Sequence, residues 1–210
     1  DQERLLVTWE DYRNGTKSTY GQILNFNHSK YGKNFPQHGQ DAIFGLKDSR
    51  FLAIKIFHTY YEFDVWSYSI TDFIGRLYRN ERPLSEPINY FSYSTGPCGT
   101  GFIGVALNAI AFEDQYLFWA WAGSLDDVVF TADYYTYEGN KIRTFTHYSD
   151  DFPGILMTAE ALDANLALIW LERIFNYGDS LPRQKLIFET FDQKDTRLDS
   201  IVLDDFGPIE

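Results

Sequence analysis

From residue 42 onward the chain is a succession of short β-branched and aromatic runs separated by polar turns, the pattern of extended strands. Residues 51–61 (FLAIKIFHTYY) place Leu52, Ile54, Ile56, His58 and Tyr60 on one face. The Leu-Lys-Asp-Ser-Arg segment before them contains a turn, so 42–46 and 51–61 are expected to pair as a hairpin. Four further runs, 102–112, 116–122, 125–137 and 141–148, are divided by Glu113-Asp114-Gln115, Gly123-Ser124 and Glu138-Gly139-Asn140. They predict an antiparallel meander over 101–148, with its strongest turn at Gly139-Asn140, two residues that tolerate positive φ. Strands at 185–191 and 200–203 close the series.

Two segments read as helices. Thr71 is placed to cap one and Asp72 suits its positive end, while Phe73, Ile74, Leu77 and Tyr78 recur at helical spacing before Asn80 and Pro83 stop it. The other runs over 158–176 (TAEALDANLALIWLERIFN). Leu162, Leu166, Ile169 and Ile174 form a stripe there, and Ala161, Leu168, Trp170 and Leu171 spread apolar character around it. Such a helix is expected to be buried on more than one side, with Gly178 and Pro182 ending it. The polar stretch 14–41 reads as a long loop with at most one edge strand at 20–26. The expected fold is α+β, a mostly antiparallel sheet with one or two packed helices, in a single domain over 1–210.

Composition narrows the class. The 18 Phe, 15 Tyr and 5 Trp supply large buried area, and a hydrophobic share of 44% excludes global disorder. A single cysteine, Cys98, rules out an internal disulfide framework, so packing alone must hold the fold; this is compatible with a cytoplasmic protein. The longest apolar stretch, 102–112, falls well short of the roughly 20 residues of a membrane-spanning helix. Asp1-Gln2-Glu3-Arg4 opens directly into Leu5-Leu6-Val7 without the pattern of a secretory leader, and the lack of an initiator Met is compatible with removal of a preceding segment. A soluble chain without a membrane partner is therefore expected.

The net charge of -12 is distributed unevenly. Residues 1–70 balance at 8 acidic and 8 basic side chains, whereas 148–210 carry 13 and 5. That excess argues against nucleic acid as a ligand and favours a basic protein surface. The expected contacts are Asp150, Asp151, Asp179, Asp192, Asp195, Asp199, Asp204 and Asp205 for steering, with tyrosines such as Tyr148 and Tyr177 as anchors. A solvated face that merely aids solubility is the alternative.

Candidate chemistry is sparse. Cys98 lies in Ser94-Thr95-Gly96-Pro97-Cys98-Gly99-Thr100-Gly101, and its Cys-Gly-Thr-Gly string resembles the catalytic cysteine turn of the proline racemase and diaminopimelate epimerase families. In those families the thiol sits against a helix N-terminus and two pseudo-symmetric halves each contribute one cysteine; the single Cys98 supplies one. A cysteine enzyme would need His58 or His147, with an acid such as Asp150, as partners. The four histidines show no zinc spacing, and neither a metal nor another cofactor is expected. His58 alternates with apolar residues as a hydrogen-bonded core histidine would, and His28 and His38 are expected to be exposed. Adjacent carboxylates such as Asp204-Asp205 should point to opposite faces of a strand and so cannot pair in catalysis. Trp119 and Trp121, with Tyr135 and Tyr137, form either an aromatic platform for a sugar or small ring, or cross-strand core packing.

The leading expectation is a non-catalytic acidic binding or inhibitory protein docking a basic partner. In size, charge and expected layout it is similar to bacterial immunity proteins, which as antitoxins cover the basic active sites of nucleases. A Cys98-dependent enzyme and an aromatic-lined binding module are the alternatives. Oligomeric state is not legible in the sequence.

Overall fold

The computed structural model describes residues 4–13, 15–37, 41–62, 67–95, 105–122, 130–147, 155–174 and 183–206. They form two compact units. The first comprises Asp1–Cys98 with Tyr135–Lys141, and the second Gly99–Tyr134 with Ile142–Glu210. Every regular element among the described residues is a β-strand, and all pairing is antiparallel. The α+β expectation is thereby corrected to all-β. No helix among the described residues is long and apolar enough to cross a membrane.

In the first unit, β1 (Leu5–Asp11), β2 (Ser18–Leu24) and β3 (Lys30–Gln37) form one sheet in that order. The stretch expected to be a loop thus holds two strands. Their connection is a turn in which Asn25 N–H donates to Ser29 O at 2.9 Å and the exposed His28 takes φ 63°. A second sheet joins β4 (Ala42–Gly45), β5 (Arg50–Glu62) and β6 (Ser67–Arg79), with β7 (Arg82–Pro83) and β8 (Ile88–Thr95) both pairing with β6. The β4–β5 hairpin agrees with the sequence reading.

The helix expected from Thr71 is instead the middle of β6. Thr71, Phe73, Gly75 and Leu77 are buried while Asp72, Ile74 and Arg76 are half-buried, a period of two that occupancy by β5 on one side and β8 on the other enforces. Gly75 is needed for this packing. A Cβ there would press on Ile54 and come within 2.7 Å of the Tyr90 ring. The unit contains a core of Ile23, Phe35, Phe51, Ala53 and Tyr78, in which the cross-strand pair Phe51 and Tyr78 stacks at 4.9 Å.

In the second unit, β9 (Val105–Ala111), β10 (Gln115–Ala122), β11 (Phe130–Thr136) and β12 (Lys141–His147) run in the order β12-β11-β10-β9, which is the expected meander. The tip of its last hairpin, assigned with the first unit, turns at Gly139, whose φ is 88°; Gly139 N–H donates to Thr136 O at 2.9 Å. The final sheet is β13 (Ile155–Leu162), β14 (Asn165–Ile174), β15 (Arg183–Phe191) and β16 (Arg197–Phe206) in sequence order.

The long helix expected over 158–176 is therefore a hairpin. Asp163 takes φ 55° between its arms, and Ala161 faces Leu166 across the ladder. Ala159, Leu166, Leu168 and Trp170 are buried at alternate positions, and Ala161 packs partly buried against them. The intervening Ala167 and Ile169 are half-buried on the other face. Apolar residues on both faces of a strand imitate a helix that is apolar all round. Ile110, Phe112, Leu117, Trp119, Tyr134, Phe145 and Phe191 complete this core with the β14 side chains. Each such fully buried large side chain contributes about 1.5–3 kcal/mol.

Candidate binding surface

β16 is the outermost strand of the last sheet, and all ten of its residues are exposed. Its register on β15 explains what each side chain can reach. Arg197 faces Phe191, Ser200 faces Glu189, Val202 faces Ile187 and Asp205 faces Lys185, which puts these β16 residues on the side of the sheet that carries the core. Asp199, Ile201, Asp204 and Phe206 face Thr190, Phe188, Leu186 and Gln184 and point the other way. The ladder skips Leu198 and Leu203, so β16 bulges twice and its regular stretch is 199–202.

The exposed side chains are of two kinds. Leu198, Ile201, Val202, Leu203 and Phe206 are between 41% and 54% exposed, more apolar surface than a lone edge strand ordinarily shows. Between them stand Asp199, Asp204 and Asp205, none of which enters an ion pair among the described residues. Two of these carboxylates are turned onto their own backbone. Ser200 N–H donates to Asp199 Oδ1 and Asp205 N–H to Asp204 Oδ1, each at 2.9 Å. The adjacent Asp204 and Asp205 face different β15 neighbours, on opposite sides of the sheet.

Two charged clusters fix the near end of the strand. At the β15–β16 turn, Asp192 accepts the N–H groups of Lys194 and Thr196 at 2.8 Å each, and these bonds hold its carboxyl below the usual range. Arg143 on β12 donates to both oxygens of Asp195 (2.8 and 3.0 Å) and to Gln193 O (2.6 Å) while its guanidinium lies 3.6 Å over the Tyr134 ring. Burial pushes the Tyr134 hydroxyl up to about 12, so it stays protonated.

The second cluster lies beneath β16. Glu189 is 5% exposed, among Phe145, Phe191 and Trp170. Trp170 Nε1–H donates to its Oε2 at 3.1 Å, His147 Nε2 lies 2.9 Å from the same oxygen, and Arg197 donates to Oε1 at 3.1 Å. Burial pushes this carboxyl up, but the bonds and charges of His147 and Arg197 outweigh it and leave the group below its ordinary value. The His147 ring also lies 4.4 Å from the Trp170 ring and 5.2 Å from that of Phe191. This is a satisfied buried charge network tying β12, β14, β15 and β16 together. Sequence reasoning missed it, although a signal existed: in 185–191 (KLIFETF), Glu189 alternates with Ile187 and Phe191 and so must share their face.

The remaining candidates separate clearly. Cys98, Asp150, Asp151, Tyr148, Tyr177 and His38 lie outside the described residues. His58 Nδ1 is 3.0 Å from Thr71 Oγ1 across the β5–β6 ladder, hydrogen-bonded as expected, but on the exposed half of β5 rather than in a core. His147 belongs to the Glu189 cluster, so each candidate histidine already has a partner of its own. Trp119, Tyr135 and Tyr137 are only 7%, 2% and 6% exposed, which makes them packing residues rather than a stacking platform. Among the described residues no group of three or more His, Cys, Asp or Glu side chains could hold a metal ion.

Neither a protein-family model nor a curated relative matches the chain.

Proposed function

We propose that this is a non-catalytic, cytoplasmic binding protein that docks a basic protein partner on the β16 side of its second unit, sequestering or inhibiting it. The observation that carries the reading is a ten-residue outer strand, exposed throughout, on which three aspartates stand outside any described ion pair among large apolar side chains. Apolar side chains at such an edge supply binding energy once desolvated, and the carboxylates select and steer a cationic surface. A purely solubilising face would carry the charges without the apolar residues. The likeness to immunity proteins keeps only its size and charge components, since the α+β layout on which it also rested is not the fold of this chain.

The test is a photo-crosslinking side chain at Ile201 in the full chain, expressed in its source cells, with a matched probe at Val7 on β1. A discrete adduct with a basic protein at Ile201, absent at Val7 and lost in the double variant Asp204→Lys with Asp205→Lys, is the expected result. No adduct at Ile201, or one indifferent to those two aspartates, would overturn the proposal.

A further inference from the structure

Resting on that reading, we infer that the partner is engaged by strand addition: an extended segment with alternating basic and apolar residues pairs along the free edge of β16 and continues the β13–β16 sheet.

An outermost strand presents a row of main-chain donors and acceptors on its unpaired side, and an added strand satisfies them while alternate side chains choose the sequence. Among the described residues β16 pairs with β15 and with no other strand. The regular stretch from Asp199 to Val202 lies between the two bulges, and the strand continues beyond the second bulge to Phe206.

The chemistry of the incoming segment follows from the two aspartate turns. The main-chain N–H groups of Ser200 and Asp205 donate to the carboxylates of Asp199 and Asp204. A donor bonded to its neighbour's side chain is bonded outside the ladder, so these carboxylates act as covers on the free edge. When a carbonyl of an incoming strand takes such an N–H, the carboxylate is released and needs a new partner. A lysine or arginine directly opposite supplies one, about 4.5–5.5 Å away between Cβ atoms in an antiparallel pair. An uncharged segment would leave the displaced carboxylate to water alone and so would gain less. Asp199 and Asp204 share one face and Val202 lies on the other, so the basic residues of the segment line the first face, with their aliphatic stems over Ile201, and its apolar residues line the second.

A second copy of the same strand is a poor occupant. Edge-to-edge pairing of β16 with itself would bring Asp199, Asp204 and Asp205 against one another, and like charges across a ladder are destabilising. The occupant is a basic segment of a different chain.

The probe is the synthetic peptide Thr-Lys-Val-Lys-Val-Lys-Val-Thr, compared with the same peptide N-methylated through its six central residues. Methylation keeps the charges and side chains and removes the N–H donors. Binding to the isotope-labelled full chain is followed by amide shifts and by solvent-exchange protection. The expected result is binding of the plain peptide, with new protection confined to residues of β16, at least tenfold weaker binding of the methylated one, and about threefold or greater weakening in the variant Asp199→Asn with Asp204→Asn. Equal binding of the two peptides would overturn strand addition while leaving docking by charge intact. So would no binding of the plain peptide, binding without protection on β16, or protection already present in the chain alone through self-association. The crosslinking experiment judges the docking reading separately.

Discussion

β1 and β16 are both outermost strands with large apolar side chains in solvent, yet they treat their charges in opposite ways. On β1, Glu10 pairs with Lys17 and Asp11 with Arg13, Trp9 stacks on Tyr20 with ring centroids 6.0 Å apart, and Leu6 packs against the first unit's core. The pairing holds both carboxyls below their ordinary values, through bonds to Lys17 and Tyr12 for Glu10 and to Arg13 for Asp11. On β16, Asp199, Asp204 and Asp205 enter no ion pair among the described residues, although Asp205 faces Lys185 across the ladder, and the strand's one basic residue, Arg197, is turned inward to Glu189. An edge whose charges are consumed within the sheet has little left for a partner; one whose charges are left over has an electrostatic surface to offer.

The sharpest test of this contrast begins with what lies beneath β16. Replacing Trp170 by Ala removes a buried indole and its bond to Glu189 and is expected to cost about 3–5 kcal/mol in equilibrium denaturation. A loss below about 1 kcal/mol would mean that β14 does not form the floor of this sheet. Val7→Ala on the exposed face of β1 should by contrast stay within about 0.5 kcal/mol.

Next in size is Glu189→Gln, which keeps the shape but removes the charge shared by His147 and Arg197; a loss of about 1.5–3 kcal/mol is expected. Its pH dependence has a definite sign. The folded-state pKa of Glu189 lies below its ordinary value of 4.5, so the ionised group contributes stability that is complete above that value and is lost as pH falls through the lowered one. Below pH 4.5 the wild-type chain should therefore lose more stability than the Gln variant, and above it the gap between the two should stay constant. Parallel acid limbs would show that Glu189 is not the group that matters.

Much of the sheet architecture was legible in the sequence, and the errors have a common cause. The β4–β5 hairpin and the meander were readable because their turns are marked by Asp48-Ser49 and Gly139-Asn140 and one face of each strand is apolar. At 158–174 the apolar residues occupy both faces, and the turn is the inconspicuous Asp163-Ala164, whose positive φ an aspartate tolerates without announcing it. At Thr71–Tyr78 the helical spacing was real, but two flanking strands override so weak a local preference. Of the candidate surface, Asp199, Asp204 and Asp205 were found from charge alone, which also picked out Asp192 and Asp195, two aspartates bonded within the β15–β16 turn and to Arg143. The apolar half of β16, and Asp199 as a cover on its edge, needed the register.

A small expected change in stability separates the two edges most directly. Glu10→Gln with Asp11→Asn removes the paired charges of β1, and Asp204→Lys with Asp205→Lys reverses the unpaired ones of β16. Glu10 and the β16 aspartates are exposed and Asp11 is half-buried against the exposed Arg13, so each double variant should unfold within about 1 kcal/mol of the parent. Their association with the basic partner should differ. Loss of the β1 carboxylates leaves Lys17 and Arg13 uncompensated, a shift of two charge units on a strand outside the docking edge, and should change the on-rate much less. Reversal on β16 shifts the local charge by four units and should slow association at low salt, with the deficit shrinking as the Debye length falls to about 10 Å near 0.1 M. Stopped-flow association at two ionic strengths reads this out. Equal on-rates for the two variants at low salt would erase the distinction between the edges, because paired and unpaired carboxylates would then be contributing alike.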